Sequence, residues 1–199
     1  MDVIDRIDHV IKMVWKEDIF KDYHNDFILK EDTLKNTFYH HLRARLGDDF
    51  LWRHRLRIFS EYYLRNGERA DLAIVMLKPE EEMVGQEYHL KNKVKETLAV
   101  IELKYKNDAC GPEPFFQDVE KVKKYISLKG YLKCQFYLGF IHETEYNLEE
   151  TSWLSKRQQE SWAIGRLTEL SAFYEEESGN MEMKIISYNK LNSELNTEI

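Results

Sequence analysis

The sequence predicts a single α/β domain: a central mixed β-sheet flanked by helices, with two helices ahead of a core in the order αβββαβ and a helix and strand behind it. Three observations carry this reading. The first fifty residues hold two apolar stripes at helical spacing. Three β-type segments then follow between Leu56 and Tyr105, two of them carrying carboxylates among apolar residues. Finally, Cys134 to Ile141 is a nearly continuous apolar run after a helical segment, as expected of a strand buried on both faces. The expected divisions are residues 1–50 for the leading helices, 55–141 for the core and 150–199 for the closing helix and strand.

The elements are justified in chain order. Ile4, Ile7, Val10, Ile11 and Val14 place one buried stripe on a helix from Val3 to Val14. Tyr23 to Asp26 breaks it. Asp32-Thr33 offers a new start, and Leu34, Phe38, Leu42 and Leu46 form a second stripe closed by Gly47. Leu56 to Leu64 is rich in aromatic and β-favouring residues, and Asn66-Gly67 is a hairpin signal, so the next strand follows at once through Arg69 to Val75. Met76 to Thr97 is a long polar connection with Pro79 and Gly85, read as an extended β-arm or a flap. Leu98 to Tyr105 is the third strand. Asn107 to Pro114 is turn-rich; Phe115, Val119, Val122 and Ile126 then share one helical face, and Gly130 ends that helix. The strand–helix–strand order favours parallel pairing of the third and fourth strands through a right-handed crossover. Trp153 to Tyr174 reads as a helix bent near Gly165, Met183 to Tyr188 as the final strand, and the polar tail after Asn189 as frayed.

Composition bounds the function classes. A chain of 199 residues supports one substantial core, and 43% hydrophobic against 33% charged residues is a globular balance. No apolar run approaches a membrane span, and the acidic start Met1-Asp2-Val3-Ile4-Asp5 is unlike a signal peptide, so no membrane association is expected. Cys110 and Cys134 have no metal-binding spacing and read as free thiols, which suits a cytoplasmic protein. The adjacent His40 and His41 lack further ligands and read as surface residues. With 29 basic and 36 acidic residues the net charge of −7 opposes nucleic-acid binding overall. The basic residues are nonetheless clustered: Arg43, Arg45, Arg53, Arg55 and Arg57 crowd one stretch, and with Lys121 they are the candidate nucleic-acid contacts. The alternative for the arginines is a solvated face of ordinary ion pairs.

Chemistry is concentrated at Asp71 and the run Glu102-Leu103-Lys104. Each carboxylate lies in a segment otherwise suited to burial, where an unpaired charge is costly. Glu102 and Lys104 project to one face of their strand while Ile101 and Leu103 point to the other. If the two strands pair, Asp71 joins Glu102 and Lys104 in one polar cluster, and two such carboxylates need a proton or an oxygen-loving cation between them. The alternative is a cross-strand ion-pair network including Arg69, which contributes little. A second acid-x-Lys run, Glu182-Met183-Lys184, follows Ser178-Gly179-Asn180; no carboxylate-bearing strand is expected just ahead of it, and Glu182 is expected at a solvated turn.

Asp71 followed by Glu102-x-Lys104 resembles the PD-(D/E)xK motif of the restriction-endonuclease-like nucleases, with Ala70 where that family often has Pro. The resemblance covers roughly Arg57 to Gly139. Glu61 lies where members often carry an extra acid, Gln117 where many place a Gln, and Tyr125 follows at a familiar distance. It implies a restriction-endonuclease-like core and a Mg²⁺-dependent endonuclease, with Mn²⁺ as a substitute. Asp71, Glu102 and the Leu103 carbonyl would hold one or two ions, with Glu61 completing a second site. Lys104 would assist the attacking water, and Gln117 would position the phosphate or brace Lys104. DNA is the implied substrate, with RNA not separated from it, in restriction, repair or mobile-element defence. A homodimer or larger complex would suit cleavage of both strands. The competing expectation is a catalytically inactive member of the fold, serving as a nucleic-acid-binding or regulatory subunit. A small-ligand domain lacks support, since no G-x-x-x-x-G-K-[ST] phosphate loop occurs.

Overall fold

Leu34, Phe38, Leu42 and Leu46 recur at helical spacing, and in the computed structural model all four are buried on one face of a single helix. The structure describes residues 1–64, 67–82, 90–149 and 151–188, with the side chains of 90 and 91 outside the description. Helix α1 (Val3–Met13) continues through a π-helical stretch (Val14–Ile19) into α2 (Phe20–His24). The wider turns carry the buried stripe of Ile7, Val10, Ile11 and Val14 onward to Trp15 and Ile19. The Trp15 indole N–H donates to the Ser171 carbonyl at 3.3 Å, so the stretch is pinned over the sheet. Helix α3 (Glu31–Leu46) begins where Thr33 Oγ1 accepts from the Leu29 and Lys30 amides at 3.2 and 3.1 Å. It ends at Gly47, whose φ of 78° a side chain rarely tolerates. A short helix α4 (Asp48–Arg53), absent from the sequence expectation, follows directly.

The strands are β1 (Leu56–Tyr63), β2 (Arg69–Leu77), β3 (Val94–Lys106), β4 (Gln135–Tyr146), β5 (Leu167–Glu175) and β6 (Met181–Ser187). A 3₁₀ turn (Glu80–Glu82) and helix α5 (Leu90–Lys93) lie between β2 and β3, α6 (Glu113–Ile126) between β3 and β4, and α7 (Lys156–Gln159) between β4 and β5. All six strands form one sheet in sequence order. Pairs β1/β2, β2/β3 and β5/β6 are antiparallel, whereas β3/β4 and β4/β5 are parallel. The parallel β3/β4 pair is the one that the strand–helix–strand order predicts. Asn66 and the stretch 83–89 of the β2–β3 connection lie outside the described residues, as does the tail from 189.

Two cores sandwich the sheet. On one face α1, the π-helical stretch and α3 pack against Leu56, Ile58, Leu72, Ile74, Ile101, Leu103 and Tyr137. On the other, α6 and Trp153 pack against Val100, Phe136, Leu138, Phe140 and Leu167. At mid-sheet, β4 passes so close to its neighbours that a side chain in place of Gly139 would force Leu103 to move. A Cβ there would lie 2.5 Å from Leu103 Cδ2 and 3.3 Å from Trp15 Cζ3.

The predicted helix from Trp153 to Tyr174 is corrected by the structure. Only Lys156–Gln159 is α-helical, and Leu167–Glu175 is an inner strand between β4 and β6. Leu167 to Phe173 is buried throughout, on both faces, so the alternation that marks a strand is missing from its sequence. Gly165, with φ of 71°, forms the turn into β5 and bends no helix. The expectation for the second acid-x-Lys run also fails. Strand β5 just ahead of it carries Glu169, and Glu182 sits within β6 opposite Phe173. Glu169 is nevertheless saturated: Ser152 and Tyr188 hydroxyls donate at 2.9 Å and the Trp153 amide at 3.0 Å. Lys184 donates to the Thr151 carbonyl at 3.0 Å, so this pair anchors the chain ahead of α7.

Gly139→Ala is expected to destabilise the fold by about 1–3 kcal/mol through overpacking, read as a lowered urea midpoint at unchanged slope.

Candidate active site

The sheet changes hand of burial at one level. Leu56 and Ile58 of β1 and Leu72 and Ile74 of β2 face α1 and α3, whereas Tyr62, Leu64 and Ala70 pack with the α6 core. Glu61, with φ of 53°, sits at the crossing, between the paired positions Ser60↔Leu72 and Tyr62↔Ala70 and thus opposite Asp71. A left-handed φ at a residue with a side chain costs about 1–2 kcal/mol, so the surrounding packing must hold it. The crossing also ends the β2/β3 ladder, whose last pair on this side is Leu72↔Ile101. Beyond it the strands part. The Leu103 amide faces that gap and donates to Asp71 Oδ2 at 2.8 Å, so a side chain takes over from the backbone ladder.

Glu102 and Lys104 line the opening, and helices from both faces of the sheet send charges into it. From α3, Lys35 bridges Glu31 Oε1 at 3.0 Å and Asp71 Oδ1 at 2.7 Å. From α6, Lys121 reaches Glu102 Oε2 at 2.8 Å. Lys104 lies between Glu31 Oε2 at 3.3 Å and Asp118 Oδ2 at 3.1 Å. Asp118, Lys121 and Tyr125 fall at i, i+3 and i+7 on α6, which aims all three at the same side of the helix. Glu102 is only 1% exposed, and its Oε1 accepts no hydrogen bond among the described residues.

Electrostatics follow from this crowding. Burial, then the Asp71 charge, pushes the Glu102 carboxyl up to about 8, against the pull of Lys121. Burial likewise raises Asp118, although Lys104 opposes it. Burial disfavours the Lys104 ammonium, yet Asp118 and Glu31 outweigh it and hold its pKa above the usual lysine value. Burial of Glu31 is outweighed in turn by Lys35 and Lys104, and its carboxyl is held low. The Tyr125 phenol is kept protonated by burial and by the neighbouring Glu102 charge, and it donates to the Arg69 carbonyl at 3.4 Å.

The structure thus brings Asp71, Glu102, Leu103 and Lys104 together. Glu61 is close by: it lines a cavity of about 500 Å³ with Lys35 and Asp71, but its carboxylate is engaged by Arg69 at 2.5 Å. Gln117 is exposed on α6, and the next residue, Asp118, takes the inward position. Lys121 is turned onto Glu102 and is no part of a surface patch. The five arginines do not form one free basic face either. Arg43 is paired with Asp48 at 2.9 Å, Arg45 with Asp18 and with Glu17 at 2.7 Å, and Arg57 stacks 4.4 Å from the Trp52 ring centre. Arg53 and Arg55 are exposed. His41 is half-buried and bonds Asp22 at 2.7 Å, linking α3 to α2, whereas His40 is exposed.

Glu31, Lys35 and Asp118 escaped the sequence reading. Glu31 and Lys35 look like an ordinary i, i+4 helix pair. Asp118 did leave a signal, because it lies between Phe115 and Val122 on the buried stripe of its helix, where a charge needs a partner.

The donor chemistry fits a hard divalent cation. Among the described residues no three His, Cys, Asp or Glu side chains are grouped to hold a metal. Mg²⁺, however, is commonly held by one or two carboxylates together with water. Asp71, Glu102 and the Leu103 carbonyl would supply oxygens of that kind, and Glu102 Oε1 accepts no hydrogen bond within the distance of an ordinary one among the described residues.

Because Glu102 binds its proton more tightly folded than unfolded, the stability it contributes is present at low pH and is lost as pH rises toward 8. Glu102→Gln is therefore expected to flatten the fall in melting temperature between pH 5 and pH 8. It should raise stability at pH 8 by on the order of 1 kcal/mol, measured by thermal unfolding across that range without divalent ions. No protein-family model, curated protein or solved structure matches this chain.

Proposed function

We propose that this protein has a restriction-endonuclease-like core and is a Mg²⁺-dependent endonuclease that hydrolyses DNA phosphodiester bonds, with Asp71, Glu102 and Lys104 as its catalytic residues. The observation that carries the reading is the buried Glu102 carboxyl beside Asp71 and Lys104 where β2 and β3 part. Asp71, Glu102 and the Leu103 carbonyl would hold Mg²⁺. When bound, the ion supplies positive charge for the phosphate and acidifies a coordinated water.

The chain's own groups divide the remaining work. Lys104 is held between Glu31 and Asp118, which keep it protonated, so it acts as a cation and not as a general base. Its ammonium can orient the attacking water and stabilise charge that develops on the phosphate. The burial around Glu102 strengthens each of these interactions by lowering the local dielectric. Glu61 lines the cavity beside Asp71, and release from Arg69 would free its carboxylate there. Among the described residues no helix is long and apolar enough to cross a membrane.

A second reading has its own support. Lysines already neutralise Asp71 and Glu102, and the net charge is −7, as would suit a catalytically silent binding or regulatory subunit.

Supercoiled, linear and single-stranded DNA incubated with Mg²⁺ or Mn²⁺ distinguish the two. The expected outcome is cutting that EDTA abolishes and that Lys104→Ala and Glu102→Gln each reduce about 100-fold or more. Binding to DNA or to a partner protein without any cleavage would leave the silent subunit as the function.

A further inference from the structure

The candidate cation ligands are already in contact with cations: the ammonium groups of two lysines. Lys121 occupies Glu102 Oε2 at 2.8 Å and Lys35 occupies Asp71 Oδ1 at 2.7 Å. We infer that Lys121 is a built-in stand-in for the divalent ion, which holds Glu102 in the metal-free protein and swings off it when the ion binds. The inference rests on the reading of Asp71 and Glu102 as cation ligands and adds how that site is kept, loaded and gated.

The physical case begins with Glu102. A carboxylate 1% exposed cannot be left bare without a large desolvation cost, so an empty site needs either a proton or a local cation. Lys121 supplies the cation from a position suited to leaving. Its side chain is 29% exposed, whereas that of Glu102 is 1% exposed, and its flexible stem carries a strongly hydrated head that solvent accepts readily. Displacement strands no charge. Lys121 has Asp118 one turn back on α6, close enough to feel its field. Lys35 keeps Glu31 at 3.0 Å if Asp71 is taken from it, and Lys104 keeps both of its partners.

Charge balance points the same way. Glu31, Asp71, Glu102 and Asp118 face Lys35, Lys104 and Lys121, leaving one net negative charge once Glu102 has given up the proton that burial makes it hold. That surplus attracts a cation and repels a bare phosphodiester. A divalent ion inverts it to one net positive charge, which matches the single negative charge of a phosphodiester. The lysines thus gate the site in order, metal first and nucleic acid second, and the freed Lys121 ammonium becomes available to the phosphate.

The test reads metal binding and lysine accessibility, not cleavage. Mg²⁺ is titrated calorimetrically into the wild-type protein, Lys121→Met and a surface control, Lys123→Met. In parallel, reductive methylation of wild-type Lys121 is followed by mass spectrometry with and without Mg²⁺. The expected result is about five- to tenfold tighter Mg²⁺ binding by Lys121→Met alone, and faster methylation of Lys121 once Mg²⁺ is added to the wild type. If the wild type binds Mg²⁺ but Lys121→Met binds no tighter and Lys121 stays protected, this inference is overturned while the cation site stands. If neither protein binds Mg²⁺, the reading of Asp71 and Glu102 as cation ligands falls with it.

Discussion

The carboxylate of Glu102 lies inside the sheet with 1% of its residue exposed, between a strand that turns away and a helix that reaches over. Everything charged around it answers to that placement. The pull of Lys121, the repulsion from Asp71 and the nearby Tyr125 phenol all act on one group that water does not reach. In a medium of low dielectric such interactions grow, and an unmatched one becomes expensive. The central strand therefore tolerates Glu102 because burial lets it keep a proton up to a pH of about 8 and because α6 delivers Lys121 to it. Removing the acid would relax the cluster; removing its partners would leave a buried charge uncompensated.

The opening itself is a product of backbone geometry. At Glu61 and Asp71 the β1–β2 hairpin crosses from one face of the sheet to the other, and β2 stops pairing with β3 at Leu72↔Ile101. Had the ladder continued, the Leu103 amide would have gone to backbone and Asp71 would have been one more strand residue. Instead the Asp71 carboxylate takes that amide and holds the parted strands at a fixed spacing. A strained Glu61 backbone, a ladder cut short and a side chain substituting for a carbonyl are one device. It converts a continuous sheet into a cleft with two carboxylates in its wall.

The rest of the molecule is stiff where this device needs support. Trp15, carried over the sheet by the π-helical stretch, packs against Gly139, and Gly139 in turn leaves room for the Leu103 side chain. The residue between Glu102 and Lys104 is thus packed from the face opposite the charges, and the two polar side chains project from the other face of the same strand. Glu169 and Lys184 show the contrast. They have the same residue types on neighbouring strands, but hydroxyls, an amide and carbonyls satisfy them, and they serve as anchors for the chain before α7.

Sequence alone determined the two leading helices, because Leu34, Phe38, Leu42 and Leu46 repeat at a period that only a helix buries on one side. It likewise determined β1 to β4 and the parallel β3/β4 pair, since each follows from local period or from strand–helix–strand order. The meeting of Asp71 with Glu102 and Lys104 was expected only if their strands paired, and the two strands part just there. Strand β5 was not legible. Burial on both faces had erased its alternation, and helix and buried strand then look alike. Nor were Glu31, Lys35 and Asp118 legible as site residues, nor the inward turn of Lys121 and the outward one of Gln117. Those depend on how far α3 and α6 rotate about their own axes when they pack, and a helix face is known to within about one residue only after its partner is placed. The arginines between positions 43 and 57 differ for the same reason: Asp18 and Glu17, which take up Arg45, are distant in sequence and adjacent only in the fold. Local periodicity is written in the chain; which charges meet across elements was decided by tertiary packing, because only there do desolvation and proximity act together.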